Sequence, residues 1–363
     1  MVASISARKS VSAAVAYFKH MAQDEYYTKE NEAEAEAESD WDGRGSQRLA
    51  LDGDVTRKDF EALLNGYDPK TGEPLVQAGN KSHAPGWDMT YSAPKSVSVL
   101  WALSTPNERS KIEAAHRQAV SVATKNLEDN HAFTRRGKGG AVREQVAGLT
   151  IARFHHHTSR DLDPQLHTHS FIFNAAPRHD HTWGTLVSRE LYKAQKETGA
   201  VYRNQLANAL ERAGHAIDRQ GSSFRMRAIP HHIERAFSKR RQAIEEAAKA
   251  HGYRTPKGME LAALRTRQAK RPRERAALFQ AWSKEARALG FKLPDRQQQI
   301  ETSRGIPRAT HIEKTSASSA SLSQSVHRLV LSAALAFRSS RGMSGLSVSL
   351  RNSDRDRDIE AER

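Results

Sequence analysis

Apolar and polar positions along the chain switch between a two-residue and a 3.6-residue repeat, and those switches mark out its elements. A short β-like start, Val2–Ser6, leads into a helical pattern over Ser10–Met21, with Ser10 placed to cap it. The stretch Glu30–Asp42 is acidic, with Glu and Ala alternating, and predicts a solvated helix face or a mobile loop. Asp59–Leu64 reads as a helical fragment and Gly66–Gly72 as a loop; Met89–Leu103 mixes β-like and apolar residues around Pro94. Glu108–Asn130 predicts an amphipathic helix, with Ile112, Ala115, Ala119, Val122 and Leu127 forming one face. Arg135–Gly140 predicts a basic, glycine-rich hairpin. Gln145–His155 and Leu166–Asn174 predict two strands separated by the polar turn Thr158–Pro164, and Ser188–Ala213 a further helix. From Pro230 to about Leu289 the pattern is helical and very basic. Residues 301–363 hold 14 serines and a single aliphatic island, Val326–Phe337, and are expected to be a mostly disordered tail.

Composition narrows the class. Of 363 residues, 37% are apolar and 27% charged, the balance of a polar, soluble protein with a modest core. No apolar run approaches the roughly 20 residues of a membrane helix, so no membrane insertion is expected. The N-terminus has no basic-then-apolar leader pattern, which points to the cytoplasm. The absence of cysteine excludes disulfides, thiolate catalysis and Cys-type zinc sites together. Lys and Arg number 57 against 42 Asp and Glu, a net charge of +15. That excess favours an extended anionic partner, nucleic acid first among them.

Candidate chemistry lies in the histidines. There are seventeen, and their clustering matters more than their number. His167 and His169 alternate along one predicted strand and so present both imidazoles to the same face. A third imidazole from His155–His157, on the antiparallel neighbour, completes a set of three that leaves positions open for oxygen ligands, the arrangement of a catalytic rather than a structural site. His179, His181, His215, His231 and His232 read instead as surface or satisfied core residues. Three of the eight tyrosines, Tyr17, Tyr26 and Tyr27, fall in the first 27 residues. A phenolate attacks phosphorus well once a metal polarises the phosphoryl oxygen. Without the histidines, Tyr17-Phe18 would read simply as an aromatic pair closing a helix on the core.

Two blocks then carry a family resemblance. Asp88-Met89-Thr90-Tyr91-Ser92-Ala93-Pro94-Lys95-Ser96-Val97-Ser98, and Thr158-Ser159-Arg160 followed by Asp163-Pro164-Gln165-Leu166-His167-Thr168-His169, resemble signatures of the conjugative relaxases of the TrwC/TraI type, the MobF family. Tyr17-Phe18 with Tyr26-Tyr27, Leu51-Asp52-Gly53 and Asp68-Pro69-x-Thr71-Gly72 are similar too, so the likeness covers roughly residues 1–300. It implies an α+β fold: a central antiparallel sheet of about five strands flanked by helices, in the palm-like manner of His-hydrophobe-His endonucleases, with a helical C-terminal flap. The implied domains are a catalytic core over 1–230, a basic flap over 231–300 that closes on DNA, and the tail. The implied activity is metal-dependent, site- and strand-specific nicking and rejoining at a plasmid transfer origin through a 5′-phosphotyrosine. His156, His167 and His169 take the positions of the metal ligands, for Mg²⁺ or Mn²⁺ with Zn²⁺ also compatible. Tyr17 takes that of the first nucleophile and Tyr26, beside Tyr27, that of the second. Asp88 takes that of the aspartate that orients a ligand histidine or accepts the tyrosine proton. Implied partners are single-stranded and hairpin DNA, accessory relaxosome proteins and a type IV secretion coupling protein. The implied form is a monomer in the bacterial cytoplasm, exported to recipient cells on the DNA it is joined to.

The sequence departs from the family pattern in three places. Position 18 is Phe where many relatives carry a second Tyr, so Tyr17 serves alone. The residue between the paired histidines is Thr168 rather than a hydrophobe. No Gly-x-x-x-x-Gly-Lys-Ser/Thr loop occurs, so no helicase activity is expected of this sequence, and the dissimilar tail suits a truncated or frameshifted gene product or a stand-alone relaxase. For phosphate contacts the candidates are Lys95, Arg160, Arg135, Arg136 and Lys138, with Arg265–Arg275 beyond them. Two alternatives remain at this level: a rolling-circle replication initiator of the same endonuclease class, and a regulator that occupies the origin without cutting. Tyrosines ahead of the histidines argue against the first. An intact set of Tyr17, Asp88 and three histidines argues against the second.

Overall fold

The computed structural model describes residues 3–8, 10–22, 38–76, 84–266 and 275–294, with the side chains of residues 17–22 and 256 outside that set. The acidic run before residue 38, Tyr26, Tyr27 and the serine-rich tail therefore lie outside the described residues. In chain order the elements are β1 (Ala3–Arg8), α1 (Val11–Ala22), β2 (Ser39–Asp42), α2 (Arg44–Arg48), α3 (Arg57–Leu64), β3 (Gly86–Ser92), α4 (Lys95–Leu103) and α5 (Pro106–His131). Then come β4 (Phe133–Arg136), a 3₁₀ turn (Lys138–Gly140), β5 (Val142–Gln145), β6 (Ile151–Thr158), β7 (Pro164–Phe173), β8 (Ala176–Pro177), β9 (Trp183–Gly184) and α6 (Ser188–Arg212). β10 (Ile217–Gln220), β11 (Ser223–Met226), α7 (His231–Ala236), α8 (Lys239–Ala250), α9 (Pro256–Arg265) and α10 (Arg275–Ala288) complete the order. All of them fall in one unit spanning residues 1–306.

Local chemistry sets the helix starts. Ser10 Oγ accepts the Ala13 N–H at 3.2 Å and caps α1. Thr56 Oγ1 accepts the Asp59 N–H at 3.1 Å and starts α3. Pro106 occupies the first turn of α5, where a missing N–H costs nothing. The inward face of α5 differs from the predicted one. Ile112, His116, Ala119, Val120, Ala123 and Leu127 are buried whereas Val122 is 37% exposed, so His116, a residue that hydropathy alone puts outside, points into the core. The strand expected over Gln145–His155 is also divided. Gly148 lies against α2 so closely that a Cβ there would meet Arg44 Cβ and Gly45 N at 2.6 Å, and regular pairing resumes only at Ile151.

Five strands form one antiparallel sheet in the order β1-β3-β7-β6-β2. Its centre is β7, flanked by β3 and β6. One face, bearing Trp87, Met89, Tyr91, Ile151 and Ile172, packs with residues of α4, α5 and α6. The other, bearing Ala152, Phe154, Phe171 and Phe173, packs with Phe60, Leu63 and Leu64 of α3 and Ala14 of α1. Phe60 anchors this second layer, its ring 5.0–5.9 Å from those of Phe154, Phe171 and Phe173. Farther along the chain, α10 packs on α4 through Trp282 and Trp101, whose rings lie 5.8 Å apart. Among the described residues no helix is long and apolar enough to cross a membrane.

Candidate metal centre

Strand alternation decides which histidines meet. On β6, His156 shares a face with Phe154 and Ala152; on β7, His167 and His169 share it with Phe171 and Phe173. His156 is the direct cross-strand partner of His167, and Phe154 of His169. The three rings pack edge to face at 5.1–5.2 Å between centroids. One nitrogen from each lies within 4.8 Å of the other two. His155 and His157 point the opposite way. His155 Nδ1 lies 3.0 Å from Thr168 Oγ1, and His157 stacks on Trp101 at 5.2 Å. The alternative left open by the triple histidine thus resolves to its middle member.

The Nδ1 atoms have partners of their own. His167 Nδ1–H donates to the carbonyl of Gln165 at 3.0 Å. His169 Nδ1–H donates to Asp88 Oδ2 at 3.0 Å, with Thr90 Oγ1 also at 3.0 Å. The Thr90 hydroxyl in turn donates to Asp88 Oδ2 at 3.2 Å, and Arg8 lies 3.5 Å from the same oxygen. A proton on Nδ1 puts the lone pair of each ring on Nε2, the nitrogen that would ligate a metal. Burial, reinforced by His169, pushes the His167 imidazole down to about 3, so it stays neutral and able to ligate a cation. Three imidazoles on a half-buried sheet face are a donor set suited to a divalent ion with room for oxygen ligands.

Thr168, between the paired histidines, faces the other side of the sheet and is fully buried. Its hydroxyl meets His116 Nε2 at 2.9 Å, while His116 Nδ1 meets the Tyr202 hydroxyl at 2.8 Å. This explains why a hydroxyl is tolerated where a hydrophobe is usual: it ties β7 to α5 and α6. Sequence reasoning missed this network, as well as Thr90 and Gln165. Only Thr90 left a signal, two residues from Asp88 and hence on its face.

The tyrosines divide by position. Tyr91 and Tyr202 are buried on the face away from the histidines, and burial pushes both phenols up, which disqualifies them as nucleophiles. Tyr17 belongs to α1, three positions after Ala14, which docks that helix on the histidine face. Among the basic candidates, Arg135 and Lys138 are exposed on the β4–β5 hairpin. Arg136 is paired with Glu144 at 2.8 Å and Asp180 at 2.7 Å. Arg160 is half-buried in the β6–β7 turn, and the half-buried Lys95 donates to the Pro164 carbonyl at 2.9 Å.

Residues 11–289 match the profile of the TrwC relaxase family. The multifunctional conjugation protein TraI of Escherichia coli strain K12 is 34% identical over 266 residues, 70% of this chain but 15% of that relative's length. Among solved structures, metal-bound conjugative relaxase TrwC in complex with oriT DNA superposes with a TM-score of 0.69 at 30% identity, covering 80% of this chain and all of that one. TrwC bound to a 27-mer comprising the recognition hairpin and the cleavage site gives 0.67 at 29% identity with the same coverage. With a matching five-stranded sheet and a histidine cluster at its centre, the chain belongs to the TrwC relaxase family.

Proposed function

We propose that this chain nicks and rejoins one DNA strand at a plasmid transfer origin, with Tyr17 as nucleophile. One observation carries the reading: His156, His167 and His169 converge on the face where Ala14 docks α1, the helix to which Tyr17 belongs. The three imidazoles would hold a divalent ion, Mg²⁺ or Mn²⁺ in the cell, with Zn²⁺ also compatible. When bound, the ion supplies charge stabilisation at the non-bridging oxygens of the scissile phosphate. Asp88 fixes the His169 ring and its tautomer, and Gln165 does the same for His167. Already engaged by His169, Thr90 and Arg8, Asp88 suits orientation better than proton abstraction.

In the reaction, the Tyr17 Oη–P bond forms and the P–O3′ bond breaks. The phenol gives up a proton and the departing 3′ oxygen gains one, so neither net proton nor nucleotide is consumed and the reverse step reseals the strand. Tyr26 or Tyr27 would serve a second transfer. Residues 1–230 act as catalytic core and 231–300 as a flap over the DNA. Arg135 and Lys138, exposed on the β4–β5 hairpin, are the better-placed phosphate contacts, with Arg160 a further candidate, while Arg136 and Lys95 hold protein partners. Accessory origin-binding proteins and a secretion coupling protein are the partners such a reaction needs in a donor cell, with the chain leaving the cytoplasm on its DNA.

The test is to mix the full chain with a supercoiled plasmid carrying the DNA that flanks its gene, with and without Mg²⁺ or Mn²⁺. A metal-dependent nicked circle after SDS and protease, with protein on the 5′ end, is expected and maps the origin. Binding without a nick would favour an occupying regulator.

A further inference from the structure

The β6–β7 turn leads into the strand bearing His167 and His169, and three consecutive residues of it are held by three different elements. The Leu162 carbonyl accepts the Trp282 Nε1–H of α10 at 2.8 Å. The Asp163 carboxylate takes the Arg240 N–H at 3.4 Å, in the first turn of α8, with the Lys239 ammonium 3.7 Å away. The Pro164 carbonyl accepts Lys95 Nζ of α4 at 2.9 Å. The turn is closed on itself as well: the Ser159 N–H donates to the Asp163 carbonyl at 2.8 Å, and Ser159 Oγ accepts the Asp163 N–H at 3.1 Å. Leu162 sits at φ +59°, a left-handed conformation that a leucine keeps only where its surroundings enforce it.

Asp163 is the costly member. Its side chain is fully buried, and Oδ1 has no hydrogen-bond partner among the described residues. Burial pushes its carboxyl up to about 6 and the neighbouring Lys95 ammonium down to about 8. A charge held at such cost contributes little to stability, since replacing buried ion pairs with apolar groups is often neutral or better. It does fix geometry, because the carboxylate has to meet both the Arg240 N–H and the Lys239 ammonium at the start of α8.

We infer that Asp163 is a positioning residue that latches the C-terminal helix α8 to the turn feeding the histidine strand, setting the grip of that helix on DNA relative to the metal centre. This rests on the reading that residues 231–300 close over DNA.

Asp163→Asn keeps the shape and removes the charge. Hydrogen exchange on the full chain is expected to show the amides of residues 239–250 losing protection at least tenfold, with β3, β6 and β7 unchanged. A hairpin oligonucleotide that extends across the mapped nick should bind about tenfold more weakly, while its single-turnover cleavage at saturation changes less than twofold. Lys239→Met, which removes the ammonium that Asp163 shares with Glu285 of α10 and leaves the turn intact, should also lose protection in the same segment. Unchanged exchange over 239–250 in both variants overturns the latch, and so does protection lost evenly across the sheet. Cleavage that slows at saturation with affinity intact overturns it too, by placing Asp163 in the metal centre's chemistry. Should the wild type neither nick nor bind the oligonucleotide, the DNA reading fails while the exchange measurement still decides the latch.

Discussion

Asp88 and His169, from neighbouring strands, face each other across 3.0 Å, and the carboxylate that fixes the imidazole takes a second hydrogen bond, from Thr90, on the same oxygen. Losing this orienting partner should weaken metal binding by roughly 10- to 100-fold. Asp88→Ala titrated with Mn²⁺ by calorimetry checks this. Affinity equal to wild type would show that the Asp88 contact does not tune the site.

Of the three adjacent histidines on β6, only the middle one faces the cluster. His156→Ala should abolish measurable Mn²⁺ binding. His155→Ala and His157→Ala should leave it within a fewfold of wild type while lowering thermal stability, because each breaks a contact on the opposite face. Metal titrations and melting curves on the three variants separate the two behaviours.

Tyr17→Phe should lose the covalent 5′ adduct and keep its affinity for origin DNA. The adduct is read on SDS gels with labelled oligonucleotide and affinity by fluorescence anisotropy. An adduct as strong as wild type would move the nucleophile to Tyr26 or Tyr27.

Stability should depend on pH through His116. Burial, with His155 and His167 nearby, holds its imidazole well below the ordinary value. The unfolded chain takes up that proton near pH 6.5 while the folded chain refuses it, so unfolding is favoured by up to roughly 1.4 kcal/mol for each pH unit below that point. The contribution is therefore fully present above pH 6.5 and lost as pH falls. His116→Gln should flatten that slope in denaturant titrations between pH 7 and 5. It should also cost about 1–3 kcal/mol at pH 7, where the Tyr202 hydroxyl loses the imidazole and Thr168 keeps only His155.

The parts legible in the sequence were those with a strict repeat. Two-residue alternation sets His167 and His169 side by side, and the 3.6-residue repeat marks α5 and α6 within two residues of their ends. The choice among His155, His156 and His157 depends on where β6 pairs with β7, a long-range fact that the family resemblance supplied and local pattern did not. Val122 was misplaced because apolar residues also occur on surfaces, whereas the inward His116 is paid for by two hydrogen bonds that no hydropathy pattern reports. The Asp163 contacts join residues 77 positions apart and left no trace in either period.

The place of Phe154 beside His156 gives the sheet a means of proofreading its own assembly. Sliding β6 by one position along β7 would preserve most ladder hydrogen bonds while bringing His155 or His157 to the histidine face and sending His156 to the other side. Phe154 would leave its layer in the same move. A slipped sheet therefore loses the aromatic packing of that layer even though another histidine would stand opposite His167. It is the ring of Phe154 packed on Phe60, more than the histidines, that tells the native register from its neighbours.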